Sequence, residues 1–350
     1  MKSFFSLLAI LLLCISCNKN NNDNPAGAWS ESVFIINEGI YPTGTGTISA
    51  FNRETLEVSS DLFGNANGRP LGNIAQSLTV HGEKAFIVVN NANKIEVTNL
   101  EDFISVATIE DLPLPRYFVG KDDQKGYVSC WDSTVKVIRL ADYSIIKSIK
   151  VGTGPDEMIL AGDYLFVINS GGYGIDSTVS VINTVTDTPY ESIMVGHRPA
   201  GIQPGENGIL WILCAGKGWN GFPDPGDTPA RIIGLNPSTM TITDEIIFPG
   251  TDEHPDNLIV NNEGDVLYFH LDKNIYAFPV SAVEVNLQPF ITGSESFYGL
   301  GYDKVTDMIY ATAPLDYAQN GWIYRFRSQD GTEVDAFMVG IIPNGFWFNN

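Results

Sequence analysis

The side chains best able to move a proton or hold a metal near neutral pH are the four histidines, His81, His197, His254 and His270. They lie far apart, and no pair has metal-ligand spacing. His81 reads as a turn residue and His270 as a strand end, while His197 and His254 stand in loop segments just before prolines and are read as solvated. No Gly-x-Ser-x-Gly elbow and no phosphate-cradling glycine loop occurs, so a Ser-His-Asp hydrolase has no support. Oxygen ligands are better represented. Glu38, Glu157, Asp256 and Asn257 would suit a calcium ion if they converged, as a metal-dependent lactonase requires. The plainer reading is that they satisfy strand-end backbone groups and bind water. No catalytic residue, metal site or cofactor is therefore expected, and the chain reads as a binder and not an enzyme.

Recognition chemistry is more visible. Trp131, Tyr173, Trp219, Phe222, Tyr298 and Tyr317 sit in loop-like segments, where exposed apolar surface marks binding. Tyr127, Tyr268, Phe269 and Tyr310 sit in apolar runs and are assigned to packing. Amides accompany the loop aromatics: Asn37, Gln76, Asn90, Asn91, Asn257 and Asn344. With Glu38 and Tyr117 they would line a site for a large, uncharged, amide-rich ligand. Arg116, between Pro115 and Tyr117, joins this set and is expected to orient Tyr117 or pair with an acid.

What must position these residues is a series of short strands. The 34 Gly and 19 Pro, with 6 Trp, 14 Tyr and 19 Phe, suit strands joined by tight turns, and no window carries a long 3.6-residue apolar period. The chain reads as all-β. A Pro-anchored segment recurs, as in Pro115-Arg116-Tyr117, Pro155-Asp156-Glu157, Pro199-Ala200-Gly201, Pro255-Asp256-Asn257 and Pro343-Asn344-Gly345, with proline-free variants at Ile74 and Phe297. The anchors are spaced by 41, 40, 44, 56, 42 and 46 residues, close to the length of a four-stranded propeller blade. Seven anchors predict a seven-bladed β-propeller; a β-sandwich would not produce such even spacing. Strand-like runs at 33–36, 46–51 and 56–62 lack an anchor before them, and the anchor at 343 lacks strands after it, so the first blade is closed by the C-terminal strand. That closure pairs the chain ends and removes an open edge. The anchors then line a central channel. The loops before them share one face with the loops between second and third strands, and the candidate ligand residues fall on that face. The longest insertion there, 215–229, belongs to the fifth blade and carries Trp219 and Phe222.

Acidic residues outnumber basic ones 41 to 20, giving a net charge of -21, which opposes binding to nucleic acid or to anionic membrane surfaces. Lys2 precedes an apolar stretch over 4–15, too short to span a bilayer but suited to a secretory signal. Cys14-Ile15-Ser16-Cys17, followed by an Asn-rich tether, resembles a bacterial lipobox with Cys17 as the acylated residue, although Cys14 stands where Leu is usual. The expected organisation is a signal peptide over 1–16, a lipidated Cys17 with a flexible tether over 17–30, and a propeller over 31–350. The membrane is met through the lipid anchor only. Cys130 and Cys214 end apolar runs and read as small buried hydrophobes.

The Pro-anchored repeat, with segments such as Ser133-Thr134-Val135-Lys136-Val137-Ile138 and Val195-Gly196-His197-Arg198-Pro199, resembles the YncE-like seven-bladed propellers. More narrowly, 32–39, Ala75-Gln76-Ser77, Pro115-Arg116-Tyr117, Asp316-Tyr317 and Val339-Gly340-Ile341-Ile342-Pro343 resemble the BtuG-like cobalamin-binding lipoprotein propellers of Bacteroidota. The resemblance implies an outer-membrane lipoprotein, facing the cell surface, that captures a corrinoid or another large nutrient for a TonB-dependent outer-membrane transporter without catalysis of its own. Two other readings remain open on the residues: a calcium-dependent lactonase-type propeller and a protein-docking platform. The residues just after Cys17 include only one acid, Asp23, where surface-exported lipoproteins often carry an acidic run.

Overall fold

The computed structural model describes residues 29–220, 222 and 224–349; Cys17 and the signal segment lie outside them. Runs such as Lys84–Val89, Tyr164–Asn169 and Leu210–Cys214 are apolar at nearly every position and buried almost throughout. Such runs suit a strand covered on both faces, where alternation would place polar groups in a dry interface. Each is the second strand of a four-stranded antiparallel sheet, and there are seven such sheets among the described residues. The first strands of the seven touch one another in sequence, and the last touches the first, so the sheets form a closed ring.

The first blade pairs Ser32–Asn37 with Thr47–Asn52 on one side and with Pro343–Phe348 on the other, with Ile35 opposite Phe346. The expected closure by the C-terminal strand is present. Its outer strand is only Val58–Ser59, shorter than the run at 56–62 suggests, because Asp61 caps a short helix over Leu62–Asn67 by accepting the Gly64 N–H. Outer strands elsewhere, such as Thr188–Met194 and Thr241–Ile247, are mostly exposed and carry Glu191, Asp244 and Glu245, charges that discourage edge-to-edge pairing.

The core is divided into seven apolar clusters, each lying between two neighbouring blades. Phe86 of the second blade stacks on Phe118 of the third with ring centroids 4.0 Å apart; truncating either ring to Ala would cost about 3–5 kcal/mol. Cys130 and Cys214 are buried within two of these clusters and are free thiols.

One irregularity recurs and positions the site. Just after the anchor, the first strand shifts register against its neighbour, at Ala75/Ser77, Pro115/Phe118, Pro155/Met158, Pro199/Gly201 and Asp256/Leu258. A bulge bends its strand and re-aims the extra side chains. Here the residues that follow each anchor line the axis of the ring.

Candidate functional site

These residues surround an axial cavity of about 700 Å³. On one side of it several polar groups bond to one another. Glu38 accepts from the Tyr298 hydroxyl at 3.1 Å and from Asn344 Nδ2 at 3.0 Å. Burial nevertheless raises its carboxyl above the usual range, because those bonds and Arg116 only partly offset desolvation. Asn344 also bonds to the carbonyls of Ala75 and Gln76, tying the first blade to the second. Arg116 donates to Gln76 Oε1 and, from Nε at 3.1 Å, to Asp156. It pairs with an acid, as expected, and lies 4.4 Å over the Trp131 ring. Burial, with Glu157 and Asp156 nearby, pushes the Tyr117 hydroxyl well up and keeps it neutral.

The opposite side is less completed. Asn257, held at a left-handed φ of 53°, accepts from the Leu300 N–H and donates to the Tyr298 carbonyl and to His270 Nε2. Its amide is thus committed to the sixth and seventh blades. Glu157 accepts one backbone N–H, from Ile202, and its carboxyl is pushed up to about 8, by burial first and then by Asp156 and Asp256. Such a group is mostly protonated at neutral pH.

The rim is aromatic. Trp131 meets Tyr173 edge to face at 5.2 Å, and Tyr298 meets Tyr317 in the same way at 5.9 Å. Tyr173 is 89% exposed, Trp219 70% and Tyr317 51%, so these rings face outward with little to cover them. The fifth-blade insertion holds Trp219 in place through several bonds. Arg198 donates to the Gly218 carbonyl at 2.8 Å and lies 4.6 Å over the indole. Asn220 bridges the backbone of His254, and His254 Nδ1 donates to the Ala215 carbonyl. Gly218, at φ +138°, is needed here, since a Cβ would stand 2.4 Å from His254 Nε2.

Of the sequence candidates, Glu38, Gln76, Arg116, Tyr117, Trp131, Trp219, Asn257 and Tyr298 line the cavity, and Tyr173 and Tyr317 extend its rim. Asn37 and Asn90 do not. Asn37 is fully buried, donates to Thr47 and Ser49 and accepts the Gly340 N–H; Asn90 donates to the Pro115 carbonyl. Both satisfy strand-end backbone and hydroxyl groups instead of facing a ligand. A repeat signal identifies the first: Asn169 makes the same bonds to Thr178 and Ser180, and both asparagines end a second strand facing a Thr-x-Ser. His254, read as solvated, is buried in the cavity wall, because the insertion folds over it. The oxygens of Glu38, Glu157, Asp256 and Asn257 share the cavity. Among the described residues, however, no group of three or more His, Cys, Asp or Glu is arranged to hold a metal. Arg198 and Ala200 carry no distinguishing signal, since their roles depend on what neighbouring blades bring.

A closed seven-sheet ring with a polar axial cavity and an aromatic rim defines the class, a seven-bladed β-propeller. Residues 31–349 match the family described as a domain of unknown function, DUF5074, and the chain belongs to that family. No curated protein matches it. Among solved structures it is similar to a quinoprotein alcohol dehydrogenase-like protein from Bacteroides thetaiotaomicron, with 13% identity over 92% of this chain and 79% of that one, at a TM-score of 0.68. It is also similar to hydrazine synthase from Kuenenia stuttgartiensis, with 14% identity over 75% and 86% and a TM-score of 0.61. Likenesses at this identity concern the fold alone.

Proposed function

We propose that this propeller is a non-catalytic capture protein whose cavity and aromatic rim receive a large, amide-rich nutrient of the corrinoid kind. In this reading it is anchored in the outer membrane through a lipidated Cys17, faces the cell surface, and passes its ligand to a TonB-dependent transporter. The observation that carries the capture reading is the rim. Trp131 and Trp219, each bracketed by an arginine, stand with exposed Tyr173 and Tyr317 around a cavity of about 700 Å³. Exposed rings held by fixed partners offer apolar area at little entropic cost. The transporter, the anchor and the corrinoid assignment rest on the sequence resemblance.

Isothermal titration with cyanocobalamin and cobinamide tests the ligand. Binding with micromolar or better affinity is expected, unchanged by chelators; a folded protein that gives no heat with either overturns the corrinoid assignment. Substituting Cys17→Ala is expected to release the protein to the soluble fraction. Retention in membranes would remove the anchor. Stoichiometric calcium on the purified protein, with activity on lactones, would replace capture by the lactonase reading.

A further inference from the structure

The chain carries eight arginines against 41 acids. Among the described residues, Arg53, Arg69, Arg116, Arg139, Arg231 and Arg325 each hold a carboxylate. Arg327 is exposed at a strand end and acts on Asp330. Arg198 differs from all of these. It is half-buried, lines the axial cavity and forms no salt bridge among the described residues. The acids nearest to it in the fold are committed elsewhere. Asp176 takes the Arg198 N–H on its backbone carbonyl, while its carboxylate accepts from Thr178 and from the N–H groups of Thr153 and Ser177. Asp227, packed against Gly218, accepts the Asp224 N–H.

The place of Arg198 in the repeat is also distinctive. Like Ile74, Leu114, Gly154 and Ile342, it precedes its anchor in the left-handed conformation, at a φ of 54°. The other blades put an apolar side chain or none at this bend, and the fifth puts a charge there. Of these five residues, Arg198 lines the cavity. Its guanidinium is held in one orientation, by the bond from Nη1 to the Gly218 carbonyl and by the Trp219 ring 4.6 Å beneath it. A guanidinium presents five N–H donors in a rigid fork, and one of them is used here. The carboxyl groups that share the cavity leave this charge standing. Asp156 is paired with Arg116, and burial holds Glu38 and Glu157 toward the neutral form; Asp256 accepts the Asn257 N–H.

We propose that Arg198 is the anion-recognition residue of this cavity, taking a carboxylate or phosphate group of the ligand at the fifth-blade side of the mouth. An apolar part of the same ligand then packs on Trp219, which is 70% exposed. The subsite rests on the capture reading of the cavity and names a group that the captured molecule presents. Arg116, over Trp131, offers the same pairing of guanidinium and indole, but Asp156 already neutralises it. The two arginines therefore divide the work. One holds the wall together, and the other meets what enters.

The test titrates 3-phenylpropionate and 2-phenylethyl phosphate into the purified protein, with 3-phenylpropanamide as the neutral counterpart. At least one anion is expected to bind about tenfold or more tightly than the amide, and the tighter of the two names the group. Arg198→Gln should remove that preference while leaving amide binding in place. Equal affinity for acids and amide in the unaltered protein overturns the proposal, as does a folded protein that binds none of the three. A preference that survives in folded Arg198→Gln also overturns it. If Arg198→Gln weakens acids and amide alike, Arg198 serves only to hold Trp219, and the proposal falls. Cyanocobalamin run in parallel separates the two readings. Corrinoid binding without any preference for anions defeats the subsite and leaves capture standing, whereas anion preference without corrinoid binding supports the subsite and removes the corrinoid.

Discussion

The seam that closes the ring and the open wall of the axial cavity treat buried charge in opposite ways. At the seam, Arg53 of the first blade grips Asp303 of the seventh with two bonds of 2.8 and 2.9 Å, and the side chains are 3% and 0% exposed. Asp303 also accepts from Thr306 and the Val305 N–H, so its oxygens are surrounded by donors. On the cavity wall, Glu157 accepts a single backbone N–H and forms no salt bridge among the described residues, although Arg116 acts on it from a distance. Desolvating a matched pair is offset locally and locks two blades together. Desolvating unmatched acids costs stability, and such groups persist where something other than the fold is to be satisfied. The seam holds the propeller shut; the cavity wall does not.

The seam yields the largest expected effects. Removing 340–350 deletes the inner strand of the first blade and should abolish cooperative unfolding and the sheet signal in circular dichroism; a folded truncation would mean the ring closes without that strand. Arg53→Ala leaves Asp303 buried and unpaired and should destabilise by about 3–5 kcal/mol in chemical denaturation. Combining it with Asp303→Asn should recover part of that loss. At the rim, Trp219→Ala should weaken capture by about 2 kcal/mol while leaving the denaturation midpoint in place. A shift in the midpoint instead would assign Trp219 to packing. The cavity wall yields an effect spread over several pH units, and the most diagnostic sign. Glu157 titrates near 4.5 in the unfolded chain and near about 8 in the folded one, so between these values the native state binds the extra proton. Stability should therefore fall as pH rises through that window, by at most about 1.4 kcal/mol per pH unit from this group. Glu157→Gln should flatten the decline. An unchanged slope would show that the carboxyl is solvated.

Much of the seam was legible beforehand and much of the wall was not. The anchors at 115, 155, 199 and 343 open inner strands at those residues, and the blade split between 33–36 and 343 is the blade observed. Trp131, Tyr173, Trp219 and Tyr317 could be assigned to one face because loop composition and the repeat count locate a loop without any knowledge of its neighbours. Asn37 and Asn90 misled for the converse reason. An amide at a strand end looks the same whether it turns to the axis or inward to Ser49 or the Pro115 carbonyl.

What the sequence determined by itself was therefore the number of blades, their order, the closure and the face that carries the aromatics. These follow from apolar runs, turn residues and even spacing, all of them local and repeated. Only the tertiary structure decided which polar groups were left without partners. Ring closure brings Glu38 to Tyr298 and Asn344, more than two hundred residues away, and satisfies it. It brings Glu157 only the Ile202 N–H and no salt bridge among the described residues. Whether a buried polar atom is satisfied depends on the atom opposite, and in a ring that atom belongs to another blade.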